Sequence, residues 1–127
     1  LRVAEQLSVP VQIPFSCLSQ INLLSVPFGV SVHSLKEAMQ AEQAGAAFLI
    51  AGHIFATACK PDLPPRGLAF LQEICQAVSI PVLGIGGIHV QNAASILQTG
   101  AAGFCMMSDF MQTDAPEWMM QGLRKLF

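Results

Sequence analysis

Short apolar runs alternate with amphipathic segments along this chain. The runs are VPVQI (9–13), FGVSVH (28–33), AAFLIAGH (46–53), IPVLGIGG (80–87) and GFCMMS (103–108). Several carry almost no charge, as strands covered on both faces do. Between them, apolar positions recur at helical spacing. SLKEAMQAEQAGA (34–46) opens with Ser34 and Glu37, spaced as a capping box, and closes with Gly45. Leu35, Ala38, Met39 and Ala41 would form its inward face. Gly67 to Val78 predicts a second helix, with Leu68, Leu71, Ile74, Cys75 and Val78 inward. Val90 to Thr99 predicts a third, stopped by Gly100, and Glu117 to Phe127 a terminal one carrying Trp118 and Leu123. Arg2 to Leu7 reads as the remnant of another.

Strand and helix thus alternate five times, which predicts βα units and a parallel sheet. Two helix-to-strand joins, Gln43-Ala44-Gly45-Ala46 and Gln98-Thr99-Gly100-Ala101, look like copies of one unit. No linker divides the chain, so residues 1–127 are expected to form a single domain. One long connection, Ala56 to Arg66, holds three prolines, and long loops in compact domains often carry function. In the second run Val30 and Val32 point one way and Ser31 and His33 the other. With the valines toward the helices, Ser31 and His33 rise to the carboxyl end of the sheet, where βα folds keep their sites.

Composition narrows the class. Hydrophobic residues make up 53% of the chain and charged ones only 11%. No window reaches the roughly 18 consecutive apolar residues of a membrane span. The surplus suits strands buried on both faces, or surface that a partner covers. The net charge is −2 and the basic residues are scattered, so neither nucleic acid nor a membrane is an expected partner. Leu1 to Gln20 lacks a secretory pattern, and Leu1 is not expected to be the natural start. Cys17, Cys59, Cys75 and Cys105 are far apart and form no CxxC pair. Free thiols in a cytoplasmic protein, without structural zinc, are the expectation.

Candidate chemistry gathers at strand ends. GIGGI (84–88) ends one strand and precedes a helix, where glycine backbone can approach an anion. Met107-Ser108-Asp109 ends the last run, and the final loops of such folds commonly hold phosphate. In AGHIFATACK (51–60), His53 is a ring able to move a proton, Lys60 a cation and Cys59 a small loop thiol. Asp62, Asp109 and Asp114 are isolated, so no carboxylate pair suggests magnesium. Met106, Met107, Met119 and Met120 read as core filling.

These stretches together carry a resemblance. GVSVHSLKEAMQAEQAGAAFLIAGHIFATACK, IPVLGIGGI and GFCMMSDF, in that order, resemble the thiamine phosphate synthase and TenI superfamily, from about Val9 to Phe110. The resemblance implies a TIM (β/α)8 barrel handling a thiazole phosphate, with this chain supplying about strands four to eight. Two branches compete. The synthase joins a pyrimidine diphosphate to the thiazole phosphate with magnesium, and its loop after strand six usually reads G-P-x-F. Here that loop is G-H-I-F, and VQIPFSCLS lacks the acidic residue of the synthase's G-Q-x-D pattern. Both departures favour the TenI-like thiazole tautomerases, isomerases without a metal requirement that use a histidine at the position of His53.

The resemblance and the residues together imply the following site. His53 would move the proton as general base, then acid. Gly86, Gly87, Met107 and Ser108 would hold the phosphate; Ser31, Thr57 and Lys60 would handle the thiazole and its anionic groups. The alternatives are the synthase, with magnesium, and a phosphate-binding barrel fragment without turnover. Five strands do not close an eight-stranded barrel. Further residues, or a partner chain in a homo-oligomer or other assembly, would have to complete it.

Overall fold

The computed structural model describes residues 2–23 and 25–126, so Leu1, Leu24 and Phe127, the last predicted helical residue, lie outside the described residues. Five strands form one parallel sheet in sequential order: β1 (Val11–Pro14), β2 (Phe28–Val32), β3 (Phe48–Gly52), β4 (Val82–Ile85) and β5 (Gly103–Cys105). Each pairs with the next in chain order, Val30 facing Leu49, Leu49 facing Val82 and Leu83 facing Gly103. Helices α1 (Arg2–Leu7), α2 (Leu35–Gln43), α3 (Gly67–Ala77), α4 (Ala93–Leu97), α5 (Ser108–Gln112) and α6 (Pro116–Arg124) alternate with or follow the strands. The expected α/β architecture with a parallel sheet is therefore present.

Periodicity explains which residues close the core. Val30, Val32, Leu49, Ala51 and Val82 turn one sheet face toward Ala38, Ala41, Leu71, Ile74, Ala93 and Ile96 of the helices. Each fully buried Leu or Ile contributes roughly 1.5–3 kcal/mol on leaving water. The opposite face is less covered: Ile85 is 38% exposed. That asymmetry places the open side of the sheet where Ser31 and His33 point.

The joins predicted to be copies share their geometry. Gly45 and Gly100 have φ of +87° and +88°. Gly45 N–H donates to Glu42 O, and Ala46 N–H to Ala41 O, a Schellman closure of α2. Two residues after each glycine the chain enters its strand in the same way: Ala47 N–H donates to Phe28 O and Ala102 N–H to Val82 O, both at 2.8 Å.

Several expectations are corrected. The predicted helix over 90–99 is shorter, Ala93–Leu97, because the chain before it is taken up by a turn. A 3-10 helix, Phe15–Leu23, and α5 have no strong period and were not predicted. The capping box is shifted: Ser34 Oγ accepts from Glu37 N–H, but Glu37 Oε2 accepts from His33 N–H at 2.7 Å. Met39, Trp118, Met107 and Met120 are exposed rather than core, and Met107 borders the open cavity at the sheet's carboxyl end. Among the described residues, no helix is long and apolar enough to cross a membrane.

Candidate functional site

A cavity of about 780 Å³ lies at the carboxyl ends of β2 to β5. All eight residues singled out from the sequence border it: Ser31, His53, Thr57, Lys60, Gly86, Gly87, Met107 and Ser108. They converge because each lies in the carboxyl-terminal part of a parallel strand or in the segment that follows one. A second, shallower space of about 470 Å³ sits within the loop itself, bordered by Thr57, Lys60 and Asp62.

The glycine turn is the most constrained wall. Gly86 and Gly87 have φ of +96° and +65°. A side chain at Gly86 would stand 2.3 Å from His53 Cβ, and one at Gly87 2.3 Å from Ala56 O. The turn is therefore packed directly on the segment after β3. Ile54 N–H donates to Ile85 O and Phe55 N–H to Gly86 O, at 2.9 and 3.0 Å. No acceptor among the described residues takes the N–H of Gly87 or Ile88, and both residues border the cavity.

His53 is 5% exposed. Its Nε2 lies 3.2 Å from Leu63 O, and a carbonyl can only accept, so Nε2 carries the hydrogen. Arg66 adds two ties across the same loop: its N–H donates to His53 O at 3.0 Å and its Nε–H to Gly52 O at 3.1 Å. The guanidinium then lies 5.4 Å from the centroid of Phe70. Together these contacts hold the ends of the long loop close, while Thr57 and Lys60 project at the cavity.

Across the cavity, Gln12 Nε2 donates to Ser31 Oγ at 2.6 Å, leaving the serine hydroxyl hydrogen for another acceptor. His33 Nδ1 lies 3.6 Å from Glu37 Oε2. Burial holds the His33 imidazole below its ordinary value of 6.5, and Lys60 and Arg66 push it the same way while Glu37 opposes them. The unfolded chain thus binds more protons here, so this group lowers stability as pH falls through 6.5 toward the folded value. Removing the ammonium in Lys60→Ala is expected to raise the His33 titration midpoint, and Glu37→Gln to lower it. Ring-proton NMR reads both, and a midpoint unmoved by Lys60→Ala contradicts the shared field.

Cys105 also borders the cavity, but burial raises its thiol pKa and so disfavours the nucleophilic thiolate. Asp109 is the one carboxylate on the cavity wall among the described residues. No group of three or more His, Cys, Asp or Glu among the described residues could hold a metal ion.

Sequence reasoning missed Gln12 and Asn92. Gln12 sits in a short strand with little alternation. Asn92 falls inside the helix predicted over 90–99, whereas in the structure it stands at the N-cap position of α4. Yet it makes no cap: its Nδ2 donates to Gly87 O and its Oδ1 accepts from His89 N–H, both at 2.9 Å.

Comparison with known proteins bears on this arrangement. The family model described as thiamine monophosphate synthase matches residues 20–110. A protein named thiamine-phosphate synthase from Pyrococcus horikoshii is 43% identical over 98 residues, covering 77% of this chain and 47% of its own length. One of the same name from Roseiflexus castenholzii is 48% identical over 90 residues, covering 70% of this chain and 40% of its own. The chain thus spans about half the length of the curated relatives it matches. A solved thiamine phosphate pyrophosphorylase from Pyrococcus furiosus superposes with a TM-score of 0.86 at 34% identity, over 98% of this chain and 62% of its own.

These relatives overturn the expected tautomerase, and with it the isomerase class and the proton transfer which that reading entailed. Their names are those of the synthase branch. The structure supplies a physical reason for the misreading. A histidine in place of the loop proline looked like an added base, but its Nε2–H is bound to Leu63 O and ties the loop. The departure in sequence has a structural occupation that requires no change of reaction.

Proposed function

The chain belongs to the thiamine monophosphate synthase family, and from that premise we propose that it carries the thiazole-phosphate side of a thiamine phosphate synthase. In this reading it supplies strands four to eight of a (β/α)8 barrel, and further strands cover the open inner face. The half-exposed Ile85 on that face and the 62% coverage of the Pyrococcus furiosus relative support the reading. Residues 1–127 then act as one unit of that barrel.

The observation that carries the assignment is the turn at Gly86 and Gly87. Its N–H groups at Gly87 and Ile88, which meet no acceptor among the described residues, border the same cavity as Ser108. Backbone donors held without side chains suit a phosphate. Lys60 supplies the cation for the other anionic substrate, the pyrimidine diphosphate, and Ser31 and Thr57 orient the rings between them. The ring nitrogen of the thiazole attacks the methylene carbon that bears the diphosphate. The carbon–oxygen bond breaks, and its electron pair leaves on the diphosphate. Negative charge grows on that leaving group, so a fixed ammonium lowers the barrier. His53 holds the loop that carries Lys60.

The family resemblance implies magnesium for this transfer. The described residues do not fit a complete magnesium site, since Asp109 stands alone on the cavity wall.

The test is condensation. The chain, alone and joined behind the remaining N-terminal part of the Pyrococcus furiosus relative, is incubated with both substrates and magnesium. Thiamine phosphate and free diphosphate in equal amounts are expected from the joined protein. A folded joined protein that binds the thiazole phosphate yet forms no thiamine phosphate counts against the assignment.

A further inference from the structure

Asn92 begins α4 but spends no side-chain atom on it. An asparagine at that position ordinarily accepts from an N–H of the first helical turn, and its loss there typically costs about 1 kcal/mol. Here the carboxamide folds back instead. Nδ2 donates to Gly87 O and Oδ1 accepts from His89 N–H, so one planar group spans the turn from Gly87 to His89. The other side is held as well, because Gly86 O accepts from Phe55 N–H at 3.0 Å. Both glycine carbonyls are therefore engaged. Between these anchors lie the N–H groups of Gly87 and Ile88, which meet no acceptor among the described residues.

We propose that Asn92 is a positioning residue: its carboxamide fixes the Gly86–His89 turn so that the Gly87 and Ile88 N–H groups are aligned for the phosphate of the ligand. A peptide plane is rigid, so fixing the Gly87 carbonyl fixes the direction of the Ile88 N–H joined to it. Fixing His89 N–H in turn sets the next plane, whose carbonyl belongs to Ile88. Only a side chain that presents a donor and an acceptor on two separate atoms at this reach can make this bridge, which aspartate, leucine and the shorter serine cannot. Asn92 also borders the cavity, but its two polar atoms are turned to the backbone. It acts on the ligand through Gly87 and Ile88.

The inference rests on the phosphate reading of the turn, and the test separates the two. Affinities for the thiazole phosphate and for the unphosphorylated thiazole alcohol are measured by calorimetry on the parent chain and on Asn92→Ala. Amide NMR follows Gly87 and Ile88 as inorganic phosphate is added. The parent is expected to prefer the phosphorylated compound and to shift both amides. In Asn92→Ala that preference should fall about tenfold or more, the scale of one misaligned charge-assisted hydrogen bond. Affinity for the alcohol should stay unchanged, which a merely structural loss would not allow. Asn92→Ser keeps a helix-capping residue while removing the bridge, and serves the same comparison if the alanine variant does not fold. A parent without preference and without amide shifts overturns the phosphate reading and the inference with it. A parent with the preference, matched by both variants, overturns the inference alone.

Discussion

Gly87→Ala is expected to weaken binding of the thiazole phosphate by about 100-fold, the effect of misdirecting one or two charge-assisted hydrogen bonds. The new Cβ would meet Ala56 O at 2.3 Å and Phe55 O at 2.7 Å. Both atoms belong to backbone, and Phe55 is itself tied to Gly86 O. Neither can yield as the end of a flexible side chain would. Either the turn or the segment after β3 has to move, and both border the cavity. The left-handed φ of +65° adds a smaller penalty, roughly 1–2 kcal/mol for a residue with a Cβ. With the overpacking cost of typically 1–3 kcal/mol, stability should fall by about 2–5 kcal/mol. Urea unfolding measures the second effect and calorimetry the first, under conditions where the variant remains folded. A variant that binds as tightly as the parent contradicts the cradle.

Lys60→Ala is expected to behave in the opposite proportion. Lys60 is exposed, and no hydrogen bond from its ammonium to a described residue is present. Its removal should leave stability within about 0.5 kcal/mol. Turnover of the joined protein should nevertheless drop by about 10²–10³, as when one donor to a developing negative charge is lost. That corresponds to roughly 3–4 kcal/mol of barrier. Affinity for the thiazole phosphate alone should not change, because the glycine turn holds that group. Steady-state rates with each substrate varied in turn separate these effects. Unchanged turnover in Lys60→Ala removes the ammonium from the mechanism.

The two variants show why some of this site was legible in the sequence and some was not. The strands were, because Val30, Val32, Leu49 and Val82 repeat a pattern that only a covered sheet face requires. The cavity wall followed from it, since a period of two sends Ser31 to the other side of Val30 and Val32. The glycine turn was legible as well, because consecutive glycines after a strand have few other uses. Asn92 was not, for a local signal cannot tell a side chain that caps its own helix from one that folds back on the preceding turn. His53 misled for a related reason. An imidazole near a loop suggests proton transfer from its chemistry alone, while its bond to Leu63 O depends on a partner ten residues away. The branch of the family was therefore misjudged on a residue whose partner lies beyond local spacing. The 3-10 segment Phe15–Leu23 was lost for want of any period.

A crystal structure of the chain with the thiazole phosphate tests the central claim most directly. The account predicts phosphate oxygens about 2.7–3.2 Å from the backbone nitrogens of Gly87 and Ile88, with the thiazole ring directed toward Ser31 and Thr57. A phosphate bound instead on Lys60, with the glycine turn making no contact to it, would contradict the account.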